Sequence, residues 1–411
     1  MDFRLTDEQR MVQETVRNFV EKELIPLEPQ VLKNEREGKP GLSQEQLRDL
    51  HQKGKDIGFW GINSPEEYGG ADLPPVMSAL IQMELGRTVV PFDFGGHAPN
   101  VLYVALNEAQ KKKYLQPVVD GEKLACFALT ESSSGSDASQ METTAVKDGN
   151  EWVLNGEKIF ITHGSEADIA IVFAATDKKK GKKGGITCFL VEREMGFRSE
   201  PIPVMSGSHH EPATLVFDNV RVPEENVIGE VGDGFKYAMV FINHNRGWVI
   251  PSWAIGGAER LLNMAIEWAN DRESFGKPLA DRQAIQWMIA DSAVEIEAAK
   301  WIFLRAAWMA EQEGNWRNGQ DSVHFRHQSS ISKLYSTNMI NRVVDRVLQI
   351  HGGIGYTKES PVERWYREVR IWRIFEGSDE MLRRTVSRNL LKGRIKIDEL
   401  LEAGGSSVVM T

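Results

Sequence analysis

The first third of the chain shows the spacing of apolar residues that an amphipathic helix requires. Five apolar side chains near the start fall on one helical face: Leu5, Val12, Val16, Phe19 and Val20. Thr6 and Gln9 match the capping box that begins many helices. Glycine or proline pairs at 69–70, 74–75 and 95–96 mark loops between helices. We expect a helical domain over residues 1–124.

Between residues 125 and 234 the pattern changes to that of short β-strands. Apolar runs at 169–174, 186–191 and 215–220 alternate with polar turns. Asn155-Gly156 lies between two β-prone runs and predicts a hairpin. The lysine- and glycine-rich run at 178–185 is typical of a solvated loop tip rather than an anion site. The sequence therefore predicts a central antiparallel sheet or barrel.

Helical periodicity returns over residues 235–398. One long helix is indicated by apolar residues recurring at three, four and seven positions: Ile285, Met288, Ile289, Ile296, Ala299, Phe303, Ala306 and Ala310. Helices, then strands, then long helices predict an α+β fold, with an N-terminal helical domain, a central β domain and a C-terminal four-helix-type bundle. Residues 399–411 are expected to be a loose tail.

Composition and charge narrow the class of protein. The chain has 41% hydrophobic and 26% charged residues, as ordinary globular proteins do, and its net charge of -10 argues against a nucleic-acid partner. No apolar run approaches the ~20 residues that a membrane span requires. Cys126 and Cys188 suggest neither a disulfide framework nor a zinc site, and both are expected to be reduced and buried. The start of the chain lacks a basic presequence, so we expect a cytoplasmic location.

A nicotinamide-binding fingerprint is missing from the sequence. The nearest glycine-rich run, His351 to Gly355, lacks the third glycine and follows a helical segment instead of a strand. It is interpreted as the C-terminus of a helix followed by a turn.

Three other segments are candidates for chemistry. The hydroxyl-rich run 129–137 predicts either an anion-binding nest or an ordinary serine-rich loop. The run 272–278 places two cations and an aromatic ring in a connection between helices, where capping is the alternative. Glu376 lies between an apolar run and a helix that Ser378 would cap. Partial desolvation there would raise its pKa and make it a proton acceptor, although many acids at such positions only cap helices.

Together and in this order, these segments resemble the acyl-CoA dehydrogenase family over nearly the whole chain, from Leu5 to Arg388. The resemblance rests on these motifs: Thr130-Glu131 with Gly135-Ser136-Asp137, Asn155-Gly156-x-Lys158 leading to Ile161-Thr162, Phe217 to Pro223, Arg272-x-x-Phe275-Gly276, Gln349 to Gly353, and Glu376-Gly377-Ser378.

The resemblance implies FAD bound between the sheet domain and the C-terminal bundle without a Rossmann fold. Residues expected to bind the cofactor within one subunit are Phe127, Leu129, Thr130, Gly135, Ser136, Phe160, Thr162, Ser378 and Glu380. Residues expected to reach the cofactor of a neighbouring subunit are Arg272, Phe275, Gln283, Gln349, Gly352 and Gly353. The resemblance therefore implies a homo-oligomer, with a dimer as the minimum active unit and a dimer of dimers expected.

The chemistry implied by the resemblance is α,β-dehydrogenation of an acyl-CoA thioester to a trans-2-enoyl-CoA. Glu376 would take the α-proton while the β-hydride passes to flavin N5, and an electron-transfer flavoprotein would then accept the electrons. The base's own N–H and a ribityl hydroxyl of FAD would stabilise charge on the thioester oxygen. Residues expected to bind substrate are Ser136, Asn243, Arg246, Gly377 and Arg388, with structural roles as the alternative for both arginines.

The sequence departs from the family pattern at several positions. Asn245 occupies the place where some relatives carry the base, and an amide does not accept the proton, so Glu376 is the consistent choice. Phe160 stands where many relatives have tryptophan, and Phe375 where tyrosine is common. Ser132-Ser133-Ser134 replaces a Pro-Gly turn, and Glu380 replaces a common glutamine.

Other functions remain as alternatives at this stage. Relatives on the same fold act as flavin-dependent oxidases or monooxygenases, and a catalytically silent flavoprotein would need no complete set of base and cofactor residues. His209-His210 is weak evidence for a metal, and none is expected. Asp93, Phe94, His97 and Asn100 fall where relatives close the acyl pocket, and their polarity favours a branched, cyclic or polar acyl group.

Overall fold

The computed structural model describes residues 4–206, 211–314 and 322–397. His209-His210 and the expected tail at 399–411 lie outside the described residues. Within them the order of elements is helices, strands and helices, which confirms the predicted α+β class.

The N-terminal part is helical. Its helices are α1 (Asp7–Phe19), α2 (Glu28–Arg36), α3 (Gln44–Asp56), α4 (Pro75–Leu85), α5 (Asn100–Ala105), α6 (Glu108–Gln110) and α7 (Gln116–Val119). The capping box before α1 is confirmed, because Gln9 N donates to Thr6 Oγ1 at 3.1 Å and Thr6 N donates to Gln9 Oε1 at 3.0 Å. Ser43 and Gln46 make the same pair of bonds before α3.

The central part is a sheet. Its strands are β1 (Ala125–Ala128), β2 (Thr144–Asp148), β3 (Glu151–Ile161), β4 (Ile169–Ala175), β5 (Ile186–Glu192), β6 (Arg198–Pro201), β7 (Ala213–Pro223) and β8 (Val227–Ile228). The hydrogen-bonded order is β6-β7-β3-β2-β4-β5-β8, with β1 also on β4. Most neighbours are antiparallel, as predicted, whereas β4 pairs in parallel with both β1 and β2.

The hairpin predicted at Asn155-Gly156 is also wrong. These residues lie inside β3, which runs unbroken through them, and the register of its pairing with β7 shifts there. The turn is instead Gly149-Asn150, since Asp148 pairs with Glu151. Gly156 has φ +145°, and a Cβ there would lie 2.6 Å from Thr143 Cα. This glycine is needed for close backbone approach at a bulge rather than for a turn.

The C-terminal part is again helical. It contains α8 (Gly234–Gly247), α9 (Val249–Asp271), the short strands β9 (Glu273–Ser274) and β10 (Lys277–Pro278), and then α10 (Gln283–Glu313), α11 (Val323–His351), α12 (Pro361–Glu368) and α13 (Asp379–Leu391). The predicted long helix is confirmed as α10, which buries Ile296, Ala299, Phe303, Ala306 and Ala310. The predicted end of a helix at His351 is confirmed as the C-terminus of α11, with Gly352 at φ +61°.

The three parts share their cores. Buried residues of the N-terminal helices, such as Ala79 and Met83, belong to the same cluster as the cores of α9, α10 and α11. Helices α4 and α9 approach at backbone distance, because a Cβ on Gly256 would lie 1.9 Å from the carbonyl oxygen of Met83. Phe127 of β1 stacks on Phe241 of α8 at 4.0 Å between ring centres, which joins the sheet to the helical part. None of the helices in the described ranges has the length and apolar character that crossing a membrane requires.

Candidate active site

Glu376 lies in the short connection that leads into α13. The preceding residues 371–373 form a 3₁₀ turn, and Ser378 caps α13, as predicted, by accepting a hydrogen bond from Met381 N at 3.4 Å. Glu376 itself has φ +53° and Gly377 has φ +92°. A left-handed conformation is rare for a residue other than glycine and persists only where surrounding contacts impose it. In this conformation the Glu376 carboxyl lies beside the side-chain amide of Asn245 in α8.

The carboxyl group of Glu376 is in a protected environment. Asn245 Nδ2 lies 3.4 Å from Glu376 Oε1, and Arg246 Nε donates to the backbone oxygen of Glu376 at 3.1 Å. Glu376 Oε2 is shielded from solvent and has no hydrogen-bond partner among the residues that the structure describes. Desolvation raises the pKa of Glu376 to about 7, although Arg246, Asn245 and Lys333 act in the opposite direction. A carboxylate with that pKa can accept a proton near neutral pH.

Lys333, which the sequence analysis missed, holds the backbone on both sides of Glu376. Its ammonium group donates to Phe375 O at 2.9 Å and to Gly377 O at 2.8 Å. The side chain is fully buried in α11, and burial lowers its pKa to about 8. The signal in the sequence would have been a lysine flanked by small hydroxyl residues such as Ser330, Ser332 and Ser336, on a helix that is otherwise packed in the core.

The predicted flavin-binding residues of the sheet domain lie along one connected stretch. Phe127 and Leu129 lie on or directly after β1, and the exposed Ser136 and Gly135 follow in the turn. Phe160, near the end of β3, has φ +59° and an exposed fraction of 58%. Ile159 N donates to Thr130 O at 2.9 Å, so the turn and the end of β3 are adjacent. An exposed aromatic ring beside a turn rich in hydroxyls and amides suits a planar ring system with a phosphate.

A buried ion pair, Glu131 with Lys158, contacts the backbone at the start of that turn. Lys158 Nζ lies 2.7 Å from Glu131 Oε1 and donates to Leu129 O at 3.0 Å, and both side chains are almost fully buried. Glu131 also accepts the N–H groups of Glu142 and Thr143. Burial lowers the pKa of Lys158 to about 8 despite the attraction of Glu131. The sequence motif contained both residues, but their pairing was not foreseen.

The residues expected to reach a neighbouring subunit form a second, exposed group. Arg272 and Phe275 follow α9, and Phe275 is 98% exposed with φ +50°. Trp268 of α9 stacks on His351 of α11 at 5.3 Å, so the ends of these helices meet. Gln349 in the last turn of α11 and Gly352 and Gly353 directly after it are exposed beside that contact. Gln283 is exposed at the start of α10.

Two of the residues expected to bind substrate contact each other in the structure. Arg246 and Gly377 touch, because a Cβ on Gly377 would lie 2.9 Å from Arg246 Nη2. Asn243 is half-buried on the same helix as Arg246, whereas Arg388 is exposed on α13 and Glu380 is exposed in its first turn. The structure therefore brings Arg246, Gly377 and Glu376 together.

Cys126 and Cys188 are both buried free thiols, as expected. Among the residues of the described ranges, no three His, Cys, Asp or Glu side chains are arranged to hold a metal ion.

Comparison with known proteins gives a consistent assignment. Family models of the N-terminal, middle and C-terminal domains of acyl-CoA dehydrogenase match residues 6–122, 126–220 and 232–391, respectively. The chain is 36% identical to (R)-benzylsuccinyl-CoA dehydrogenase of Thauera aromatica over 410 residues, which cover 95% of this chain and 97% of that protein. It is 34% identical to subunit CarC of the caffeyl-CoA reductase-Etf complex of Acetobacterium woodii, over 94% of this chain and 99% of that one.

Among solved structures, the chain resembles an acyl-CoA dehydrogenase of Bacillus anthracis complexed with FAD. The TM-score is 0.81 at 31% identity, and the match covers 97% of this chain and 69% of the other. With three domains matched in order and relatives aligned over nearly its full length, the chain belongs to the acyl-CoA dehydrogenase family of oxidoreductases.

Proposed function

We propose that this enzyme converts an acyl-CoA thioester to the trans-2-enoyl-CoA, with Glu376 as the base that removes the α-proton. The observation that carries the proposal is the protected carboxyl of Glu376, whose pKa is raised to about 7 by desolvation. Its Oε2 has no hydrogen-bond partner in the described part of the chain. An acid that only capped α13 would be expected to bond the first N–H groups of that helix, and Ser378 does so instead.

FAD is the cofactor that these residues fit. The turn at 129–136 and the exposed ring of Phe160 would hold it within one subunit, and Thr162, Ser378 and Glu380 would complete its surroundings. When bound, FAD supplies the acceptor for the β-hydride. The relative from Bacillus anthracis is described as complexed with FAD, which supports the proposal.

The residues of this chain would prepare the substrate for proton removal. Arg246 and Lys333 hold the backbone of residues 375–377, which would fix the carboxylate of Glu376 relative to the α-carbon of a bound thioester. The N–H of Glu376 would donate to the thioester oxygen as negative charge develops on it. Asn243, Ser136 and Arg388 would bind the remainder of the coenzyme A thioester.

Assembly and electron transfer are part of the proposal. The exposed Phe275 would contact the cofactor of a second copy of the chain. The same role is proposed for Arg272, Gln283, Gln349, Gly352 and Gly353. Such shared sites require at least a dimer and are consistent with a dimer of dimers. An electron-transfer flavoprotein would accept the electrons. The CarC relative is named as a subunit of a complex with Etf, which supports this acceptor.

Anaerobic titration with acyl-CoA thioesters tests the function. A panel of short, branched, aromatic and long acyl groups is added to the flavin-loaded enzyme, and flavin absorbance and enoyl-CoA formation are measured. We expect at least one thioester to bleach the flavin with one enoyl-CoA formed per flavin. Bleaching that air reverses rapidly with formation of hydrogen peroxide would favour an oxidase, and no bleaching by any thioester would indicate a monooxygenase or a silent flavoprotein.

The pH dependence follows from the pKa of Glu376. The base acts only when it is deprotonated, so kcat/KM should rise with pH around 7. Between pH 6 and pH 8 the ionised fraction changes by about ten-fold for that pKa, and the rate of flavin reduction at limiting substrate should follow it. A stopped-flow profile that is flat across this range would contradict the assignment of Glu376.

Replacement of Lys333 tests whether it positions the base. Lys333→Met removes both donors to residues 375 and 377 and a positive charge that lowers the pKa of Glu376. We expect flavin reduction to slow by about 10–100-fold, because small misplacements of catalytic groups cost that much in rate. The acid limb of the pH–rate profile should also move to higher pH. Lys333→Arg, which keeps the charge and the donors, should recover part of the rate. An unchanged pH profile in folded Lys333→Met protein would reduce Lys333 to a structural role.

A further inference from the structure

Helix α10 presents to solvent a row of large apolar side chains that the proposed site does not use. Its members recur at every seventh residue: Trp287, Val294, Trp301 and Trp308. They are 60%, 70%, 40% and 43% exposed, respectively. We call this set the α10 stripe. The opposite side of the helix packs on α9 and α11 and buries Ile296, Ala299 and Phe303.

The spacing of the α10 stripe is typical of a helix that packs lengthwise against another helix. Residues seven apart lie almost on one line along an α-helix, and this line drifts by about 20° per heptad. A second helix that crosses at about 20° stays in contact with such a line over its whole length. Helix α10 has 31 residues and is therefore ~46 Å long, and the α10 stripe extends over most of it.

The area of the α10 stripe indicates a protein partner. A buried aromatic side chain covers ~150–250 Å², so three partly exposed tryptophans and a valine present on the order of 400 Å² of apolar surface. Apolar patches of this size on a single chain often bind another protein. A specific interface buries ~800 Å² per partner. The stripe would supply about half of that area, and the polar residues beside it would add to it.

Charged residues beside the stripe favour a second copy of this chain in antiparallel orientation. Asp291 is exposed in the first half of α10. Arg305 lies in the second half, on the same side of the stripe, and donates to Gln328 Oε1 at 2.6 Å. Two antiparallel α10 helices that cross beside residues 297 and 298 bring Asp291 of each copy close to the partner's Arg305. Parallel helices would instead bring like charges together, which costs binding energy.

The same antiparallel register also matches the apolar residues. Trp287 then lies opposite the partner's Trp308, and Val294 lies opposite the partner's Trp301. Glu297 lies near the point of crossing in both copies, and its carboxylate accepts the indole N–H of Trp301 in its own chain at 2.5 Å. One surface therefore complements itself, as a two-fold symmetric interface requires.

We infer that the α10 stripe joins two copies of this chain through an antiparallel contact between their α10 helices. None of the residues proposed to share a cofactor belongs to the stripe, so the contact is an addition to the proposed function. Two different interfaces on one chain are what a dimer of dimers requires.

Sedimentation equilibrium of the flavin-loaded enzyme tests the contact. Val294→Arg places a charge near the middle of the stripe, at an exposed position where the fold should tolerate it. We expect the molar mass of the assembly to fall to half of the value for the unaltered enzyme. Met11→Arg, at an apolar residue of α1 that is 66% exposed, should leave the mass unchanged.

Cross-linking tests the orientation of the helices without disrupting the contact. Ala298→Cys lies beside the point of crossing, whereas two copies of Trp287→Cys would be ~30 Å apart in antiparallel helices. Cys126 and Cys188 are buried, so a short bismaleimide should react with the introduced thiol. We expect Ala298→Cys to give a covalent dimer and Trp287→Cys to give none. No dimer with Ala298→Cys, or a dimer with Trp287→Cys, would overturn the antiparallel contact.

The outcomes separate this inference from the proposed function. An unchanged mass in Val294→Arg would overturn the α10 contact and leave the shared cofactor sites standing. The mass of one chain for the unaltered enzyme would overturn both, and it would assign the α10 stripe to a different protein. Flavin reduction by thioesters is measured separately, so its failure would overturn the proposed reaction and leave the α10 contact standing.

Discussion

Glu376→Gln is expected to retain FAD and to lose flavin reduction by acyl-CoA, by about 10³-fold or more. The amide has nearly the shape of the carboxyl group but does not accept the proton. The partners of Glu376 act mostly on its backbone, since Arg246 and Lys333 bond carbonyl oxygens of residues 375–377. The local conformation should therefore survive the substitution. Stopped-flow absorbance at the flavin maximum measures the rate.

Two controls belong with this variant. Glu14→Gln changes an exposed glutamate of α1, and its flavin should be reduced at close to the rate of the unaltered enzyme if only Glu376 acts as the base. Reduction of the Glu376→Gln enzyme at the original rate would show that another group removes the proton.

The same variant should be more stable than the original protein above pH 7. Glu376 has a folded pKa of about 7 against an ordinary value of 4.5, so its folded state favours the protonated form. The stabilisation of the folded state by the protonated carboxyl is fully present below pH 4.5 and is lost as pH rises through 7. The ionised carboxylate then costs roughly 1–3 kcal/mol of folding free energy, which Gln does not incur. Denaturant unfolding at pH 8 should show the difference, and at pH 4 it should vanish.

Lys158→Met is expected to destabilise the protein by about 3–5 kcal/mol, because it leaves the buried Glu131 carboxylate without its cation. The Glu131 turn also carries the residues proposed to hold FAD. Loss of bound flavin should therefore accompany the lower melting temperature, and both are measured by following flavin fluorescence during thermal unfolding.

A double-mutant cycle separates the ion pair from simple packing. Glu131→Gln with Lys158→Met removes both charges and should cost less than the sum of the single substitutions. Lys178→Met, at an exposed lysine in the loop between β4 and β5, should change stability by no more than about 0.5 kcal/mol. Lys158→Met melting with its flavin at the original temperature would contradict the proposed role of the pair.

Much of the fold could be predicted because local signals agreed with the tertiary structure. Thr6 and Gln9 form a capping box whose bonds need only neighbouring residues. Apolar residues recur along α10 over many helical turns, so the sequence indicated which face of this helix is buried. The Asn155-Gly156 hairpin failed because Gly156 serves close packing against Thr143, a contact that local turn preferences do not include. Parallel pairing of β1 with β4 joins distant segments and left no comparable signal.

The candidate site was predictable only where its motif was continuous. Glu376, Gly377 and Ser378 stand together, and the sequence suggested both the acid and the cap. Lys333 lies on α11 and acts on backbone oxygens, which any residue provides, so no partner residue type indicated its role.

The contact between α4 and α9 limits how ligands enter. Sliding of packed helices normally proceeds through small side-chain rearrangements at their interface. At Gly86 and Gly256 no side-chain layer separates the two backbones, since a Cβ on Gly86 would lie 2.6 Å from Trp253 Cα. Helices α4 and α9 should therefore not slide past each other during turnover. A bulky thioester should then enter through movement of the loops that surround these helices.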